Sequence, residues 1–133
     1  MEIALVESVW QRARERCEYC LLPRALSLMP FEIDHIIPRK HSGTTESQNL
    51  ALACFYCNRY KGPNIAGFDV GLSEPTRLFH PRKDDWAQHF QWKGTQLFGI
   101  TAIGRVTIEL LRMNHPEMIV VREALLDEGV FPF

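Results

Sequence analysis

Two Cys-x-x-Cys pairs, Cys17/Cys20 and Cys54/Cys57, bracket a stretch that carries Asp34, His35 and Asn49 and runs on into Asn58 and Lys61. Four thiolates are the donor set zinc takes in a closed tetrahedron, which leaves no position open for substrate. Asp34, His35 and Asn58 offer oxygen and imidazole instead. Those groups suit a hard cation such as Mg2+ or Mn2+ and a general base. Residue types and spacing therefore point to two metals in one small fold, a structural zinc and a catalytic divalent ion.

Compartment supports the zinc reading. The opening residues hold no apolar run long enough for a signal peptide, and no later segment approaches membrane-spanning length. The chain reads as cytoplasmic, where paired cysteines bind metal more often than they form disulfides. A redox role for one pair is weakened by the second pair and by the absence of a βαβ pattern.

These residues need elements to hold them. Residues 3 to 16 place Leu5, Val6, Val9, Trp10 and Ala13 at helical spacing, which predicts an amphipathic helix leading into the first cysteine pair. Residues 31 to 37 alternate like a strand until Pro38 limits them, and residues 49 to 52 can return as a second strand across a loop containing Gly43. Residues 53 to 61 read as a helix stopped by Gly62-Pro63. On that helix Cys54 and Cys57 share one face, and Asn58 and Lys61 share another about a hundred degrees away, so one helix can serve both metals. The strand presents a conflict, because adjacent Asp34 and His35 should diverge. The reading therefore requires an irregular backbone between His35 and Arg39, near Pro38; Asp34 and His35 on opposite faces of a flat strand would sink the shared-site model.

Taken together, Cys17-Glu-Tyr-Cys20, Glu32-Ile-Asp-His-Ile-Ile-Pro38, Asn49-Leu50 and Cys54-Phe-Tyr-Cys-Asn-Arg-Tyr-Lys61 resemble the HNH endonucleases, of the ββα-metal fold, in the family's order. The resemblance covers residues 17 to 62. Asn58 stands where many members have a final histidine, an H-N-N version that the family also uses. By this resemblance His35 is the base that deprotonates the attacking water, and Asp34 and Asn58 hold one divalent cation against the scissile phosphate. The resemblance also implies products ending in 5′-phosphate and 3′-hydroxyl. Asn49 is expected to tie the hairpin loop to the backbone near His35. Glu32 is read as solvated or structural rather than as a ligand.

Charge gives nucleic acid no overall attraction: the formal net value is −1. Lys61, near the site, is read as a nucleic-acid contact; Arg59, Arg39 and Lys40 are candidates for the same role or for plain solvation, as are Arg12, Arg14 and Arg16. His41, His80, His89 and His115 are read as loop or structural residues.

Beyond residue 62 a Gly- and Pro-rich connection runs to about Pro81. A small hairpin is expected around Lys93-Gly94, then a helix capped by Thr101, then a last helix from Pro116 to about Glu128. Phe79, Trp86, Phe90, Trp92 and Phe98 are expected in the core. The chain thus divides into residues 1–62, an N-terminal helix with a zinc-knuckled ββα-metal nuclease core, and residues 63–133, packed on it. The fold class is α+β. The functional expectation is a metal-dependent endonuclease hydrolysing DNA, with a zinc-stabilised module that binds nucleic acid or protein without cutting as the alternative. No membrane and no small-molecule cofactor is expected, and nothing in the sequence calls for an oligomer.

Overall fold

The computed structural model describes residues 1–133. Helix α1 spans Ile3–Arg12 and buries Val9. It stops short of the expected residue 16 because Arg14 and Glu15 both take left-handed backbone (φ 55° each), which ends the helical run. The chain then enters a tight loop in which Cys17, Tyr19 and Cys20 are all buried.

Strand β1, Glu32–His35, pairs antiparallel with β2, Leu50–Ala53, in a register that sets Asp34 opposite Ala51 and His35 opposite Leu50. Every residue of β2 is buried, while β1 leaves Glu32 exposed and Ile33 and His35 half-buried, so β2 is the inner strand of the hairpin. The connecting loop passes so close to β1 that a Cβ on Gly43 would lie 1.6 Å from the Ile37 carbonyl oxygen, and only glycine fits there. Helix α2, Phe55–Lys61, follows β2 with a single residue between them.

The later segment has more order than its composition suggests. Within the connection, β3, Ala66–Gly67, pairs with β4, Thr76–Arg77. A short helical turn, α3 (Trp86–His89), leads into the hairpin β5 (Phe90–Lys93) and β6 (Gln96–Gly99), which turns at Gly94. Helix α4, Ala102–Leu110, is capped by the Thr101 hydroxyl accepting from Gly104 N–H at 3.1 Å. Helix α5 spans Pro116–Asp127 and is capped by His115.

One apolar core runs from Val9 through the cysteines and both strands of the first hairpin to Leu97, Val106, Leu125 and Phe131. Residues 63–133 lock onto the first half by specific contacts. The Trp86 indole N–H donates to the Tyr19 carbonyl at 2.8 Å, the Tyr56 hydroxyl donates to Glu117 at 2.9 Å, and Arg82 pairs with Glu18. Phe79 and Phe90 are buried and Trp86 and Trp92 pack beside them. Phe98 corrects the sequence reading: β6 turns Leu97 and Gly99 inward, which leaves Phe98 43% exposed under the Lys93 ammonium, 3.6 Å from its ring centre. No helix is long and apolar enough to cross a membrane.

Candidate active site and metal centre

The four cysteine sulfurs come together from two separate places. Cys17 and Cys20 lie in the loop after α1, Cys54 immediately precedes α2 and Cys57 sits in its first turn, and all four sulfurs lie within 4.8 Å of one another. Cys20 and Cys54 are 3.7 Å apart, close to the tetrahedron edge of about 3.8 Å that four Zn–S bonds of about 2.3 Å require. Backbone amides already point at the cluster: Cys20 N–H donates to Cys17 Sγ and Cys57 N–H to Cys54 Sγ, each at 3.4 Å. Burial opposes ionisation of Cys17, yet hydrogen bonds from Cys20, Cys54 and Cys57 hold it well below its ordinary value. Its hydrogen bond to Cys17 in turn pushes Cys20 up, and the same holds for Cys57. Buried thiols set against one another in this way are what a divalent ion relieves by displacing their protons. The donor set fits zinc.

The second group is arranged less simply. His35 ends β1 half-buried, with Nε2 2.9 Å from the Thr45 hydroxyl. The strand is regular through His35, and the irregular backbone begins one residue later, with bends at Ile36 and Ile37 and a helical turn at Arg39–His41. Asn49 controls that turn. Its Oδ1 accepts from Ile37 N–H at 2.8 Å, while its Nδ2 donates to the carbonyls of Ile37 (2.9 Å) and Thr44 (2.8 Å). One side chain thus ties the end of β1 to the far side of the loop that carries Thr45.

Asp34 faces the other way. Only 6% exposed, it accepts from the Tyr19 hydroxyl at 2.7 Å and lies 3.1 Å from the Lys61 ammonium. Burial pushes its carboxyl up, against the opposing pull of Lys61, Tyr19 and His35. Lys61 is the clearest departure from the sequence reading. Expected at a phosphate, it is 1% exposed, and its three donors are taken by Asp34 and by the carbonyls of His35 (3.1 Å) and Ile36 (3.0 Å). The lysine is a buried brace between α2 and the end of β1.

Asn58, half-buried on α2 next to Cys57, makes no side-chain hydrogen bond within the chain. A carboxylate has about four lone-pair sites. Lys61 donates to Oδ1 and Tyr19 to Oδ2, so each oxygen keeps acceptor capacity. One carboxylate with acceptor capacity left and one unengaged amide are the donor chemistry of a largely hydrated Mg2+ or Mn2+, which needs few protein ligands, rather than of a cation held by protein alone. No side-chain hydrogen bond joins Asp34, His35 and Asn58 to one another.

Arg39, Lys40 and Arg59 are exposed, with the Arg59 guanidinium 5.8 Å from the Phe55 ring centre. Glu32 is exposed, and His41 bonds the Pro63 carbonyl at 3.1 Å. A groove of about 590 Å3 is lined by Arg12, Arg14 and Arg16 but also by Asp84 and Asp85, and its mixed charge does not single out phosphate. Sequence reasoning missed Tyr19 and Thr45. Tyr19 sits within the first cysteine pair, where only the fold reveals that its hydroxyl reaches Asp34, and Thr45 carries no signal in the sequence at all.

Residues 17–64 match the model of the HNH endonuclease family. Over 53 residues, the chain is 40% identical to the CRISPR-associated endonuclease Cas9 of Corynebacterium diphtheriae. That alignment takes in 39% of this chain and spans 5% of the length of that protein. The matched span holds both cysteine pairs, the β1–β2 hairpin and α2, so the mixed α/β core around the cysteines corresponds to the ββα arrangement.

Proposed function

We propose that the chain is a metal-dependent endonuclease that hydrolyses phosphodiester bonds in nucleic acid, with DNA as substrate, His35 as general base and one divalent cation held by Asp34 and Asn58. The observation that carries this reading is the placement of His35 at the strand end, half-buried, against the Thr45 hydroxyl and beside the Asn49-clamped turn, within the span that matches an endonuclease family.

The chemistry follows from that placement. When His35 Nε2–H donates to the Thr45 oxygen, Nδ1 carries the free lone pair and takes a proton from water as it attacks phosphorus. Asn49 holds the backbone that aims the imidazole, and Lys61 holds the same backbone from below through the His35 and Ile36 carbonyls. A bound cation would supply charge stabilisation for the phosphoryl oxygens and the leaving oxygen. Exposed Arg39, Lys40 and Arg59 are available to backbone phosphates, contacts that position a duplex without reading its sequence.

A plasmid-nicking assay with Mg2+ or Mn2+ tests the proposal. The parent is expected to nick, His35→Ala to lose at least two orders of magnitude, and Asp34→Asn and Asn58→Ala to require higher concentrations of the added metal. Equal activity in parent and His35→Ala refutes the catalytic assignment. One observation favours the second reading, a zinc-stabilised binding module that does not cut: Asp34 is enclosed by Tyr19 and Lys61 instead of facing His35's side of the strand. A parent that binds DNA but is inert with every divalent ion would establish that alternative.

A further inference from the structure

The last rung of the first hairpin pairs His35 with Leu50. Ile36 N–H donates to the Asn49 carbonyl one step further on, so by the alternation of an antiparallel ladder the carbonyls of His35 and Leu50 turn outward, away from the partner strand. Each is taken by a cation from a different helix. Lys61 of α2 donates to the His35 carbonyl at 3.1 Å, and on the opposite edge Arg12, in the last turn of α1, donates from Nη2 to the Leu50 carbonyl at 2.8 Å. The rung that carries His35 is held from both sides.

Arg12 does more than close an edge. Its Nη1 donates to the Ser47 hydroxyl at 2.8 Å, so one planar fork spans β2 and the helical turn Ser47–Asn49 that leads into it. That turn follows Thr45, whose hydroxyl meets the imidazole, and contains Asn49, whose amide ties Ile37 to Thr44. The guanidinium forms no ion pair, and both of its hydrogen bonds go to this loop and rung. A lysine, with a single ammonium, cannot reproduce the two bonds of the fork. Helix α1 lies before residues 17–64, so one side of the clamp comes from outside the span that matches the endonuclease family.

We propose that Arg12 is a positioning residue for His35: its fork fixes the Leu50 rung and the Thr45 loop together, and with them the imidazole that meets the attacking water. The role rests on the reading of His35 as general base, so the test joins kinetics to a measurement that needs no activity. Nicking is followed at saturating Mg2+ over a range of plasmid concentrations, and amide exchange is followed on the same proteins without DNA. Arg12→Met is expected to lower kcat at least about tenfold with KM within about twofold of the parent. Arg12→Lys, which keeps the charge and loses the fork, should fall nearly as far. Ser47→Ala leaves α1 untouched and should lower kcat severalfold, yet add nothing further in an Arg12→Met background. Exchange of the Ile36 and Ile37 amides should quicken at least about tenfold in Arg12→Met, while the Leu97 amide in the other hairpin keeps its parent rate. Should Arg12→Met fail to fold, Ser47→Ala carries both comparisons. A parent that does not nick refutes the nuclease reading, and the exchange rates then decide the clamp. A raised KM with kcat unchanged, rescued by Arg12→Lys, would make Arg12 a phosphate contact, and unchanged exchange at Ile36 and Ile37 would make it a surface strap; either result overturns the proposal.

Discussion

Replacing Lys61 with methionine should separate a brace from a phosphate contact. The ammonium is 1% exposed and lies 3.1 Å from an Asp34 carboxylate that is itself 6% exposed, so Lys61→Met leaves a buried charge without its partner. Breaking such a pair from one side costs about 3–5 kcal/mol. The carbonyls of His35 and Ile36 lose a donor as well, while the methionine stem keeps most of the packing. The expected loss at pH 7 is about 4 kcal/mol, read by urea unfolding with zinc held saturating. A second substitution tests the cause: adding Asp34→Asn removes the stranded charge and keeps an acceptor for Tyr19, and should restore more than half the loss.

The pH dependence has a definite sign. Burial already raises Asp34, and without Lys61 the largest opposing influence disappears, so its folded value climbs further above the unfolded value of about 3.9. A carboxyl raised on folding is protonated more readily in the folded state, and stability falls as pH rises through the interval above 3.9. The Lys61→Met deficit should therefore shrink as pH is lowered toward the unfolded carboxyl value. A loss under 1 kcal/mol, with DNA binding weakened and its salt dependence reduced by about one charge, would mean that Lys61 reaches phosphate and the brace is wrong.

Three other outcomes are expected. Asn49→Ala removes three hydrogen bonds between β1 and the loop, and should lower stability by about 2–3 kcal/mol and abolish nicking while zinc stays bound, as elemental analysis would show. Cys57→Ser, or a strong chelator acting on the parent, should remove zinc and lower the melting temperature, with loss of the α2 signal by amide exchange; well-folded parent protein without zinc would contradict this. Thr101→Ala deletes the cap of α4 and a 2.6 Å hydrogen bond to His89, and should cost about 1–2 kcal/mol without changing zinc content.

The residues that announced the fold were those whose physics is local. Paired cysteines, Gly62 after a short helical run, Pro38 after a strand and the Thr101 cap each act within a few positions, and the elements lie within a few residues of where these signals set them. Asn49 belongs with them, because its amide works between a strand end and the loop that the strand itself defines. Lys61, Asp34 and Phe98 were misjudged or left ambiguous for one shared reason: which face of an element is buried depends on what packs there, and that partner lies far along the chain. Asp34 is enclosed by a tyrosine from the cysteine loop and a lysine from α2, and neither approach has a signature in the spacing. Arg122 is the extreme case, a charged residue of α5 that ends fully buried in the core.

Helix α2 has only seven residues, too few to persist alone in water. Its first turn is closed by Cys54 and Cys57 at the sulfur cluster, and its last residue, Lys61, is bolted through the ammonium to β1. Asn58 lies between these fixings, so α2 behaves as a beam anchored at both ends, and the position of the amide is set by the spacing of the anchors. Inserting or deleting one residue between Cys57 and Lys61 would rotate one anchor by about a hundred degrees relative to the other. Substitutions along the exposed side of this helix should be well tolerated, whereas any change in its length should not.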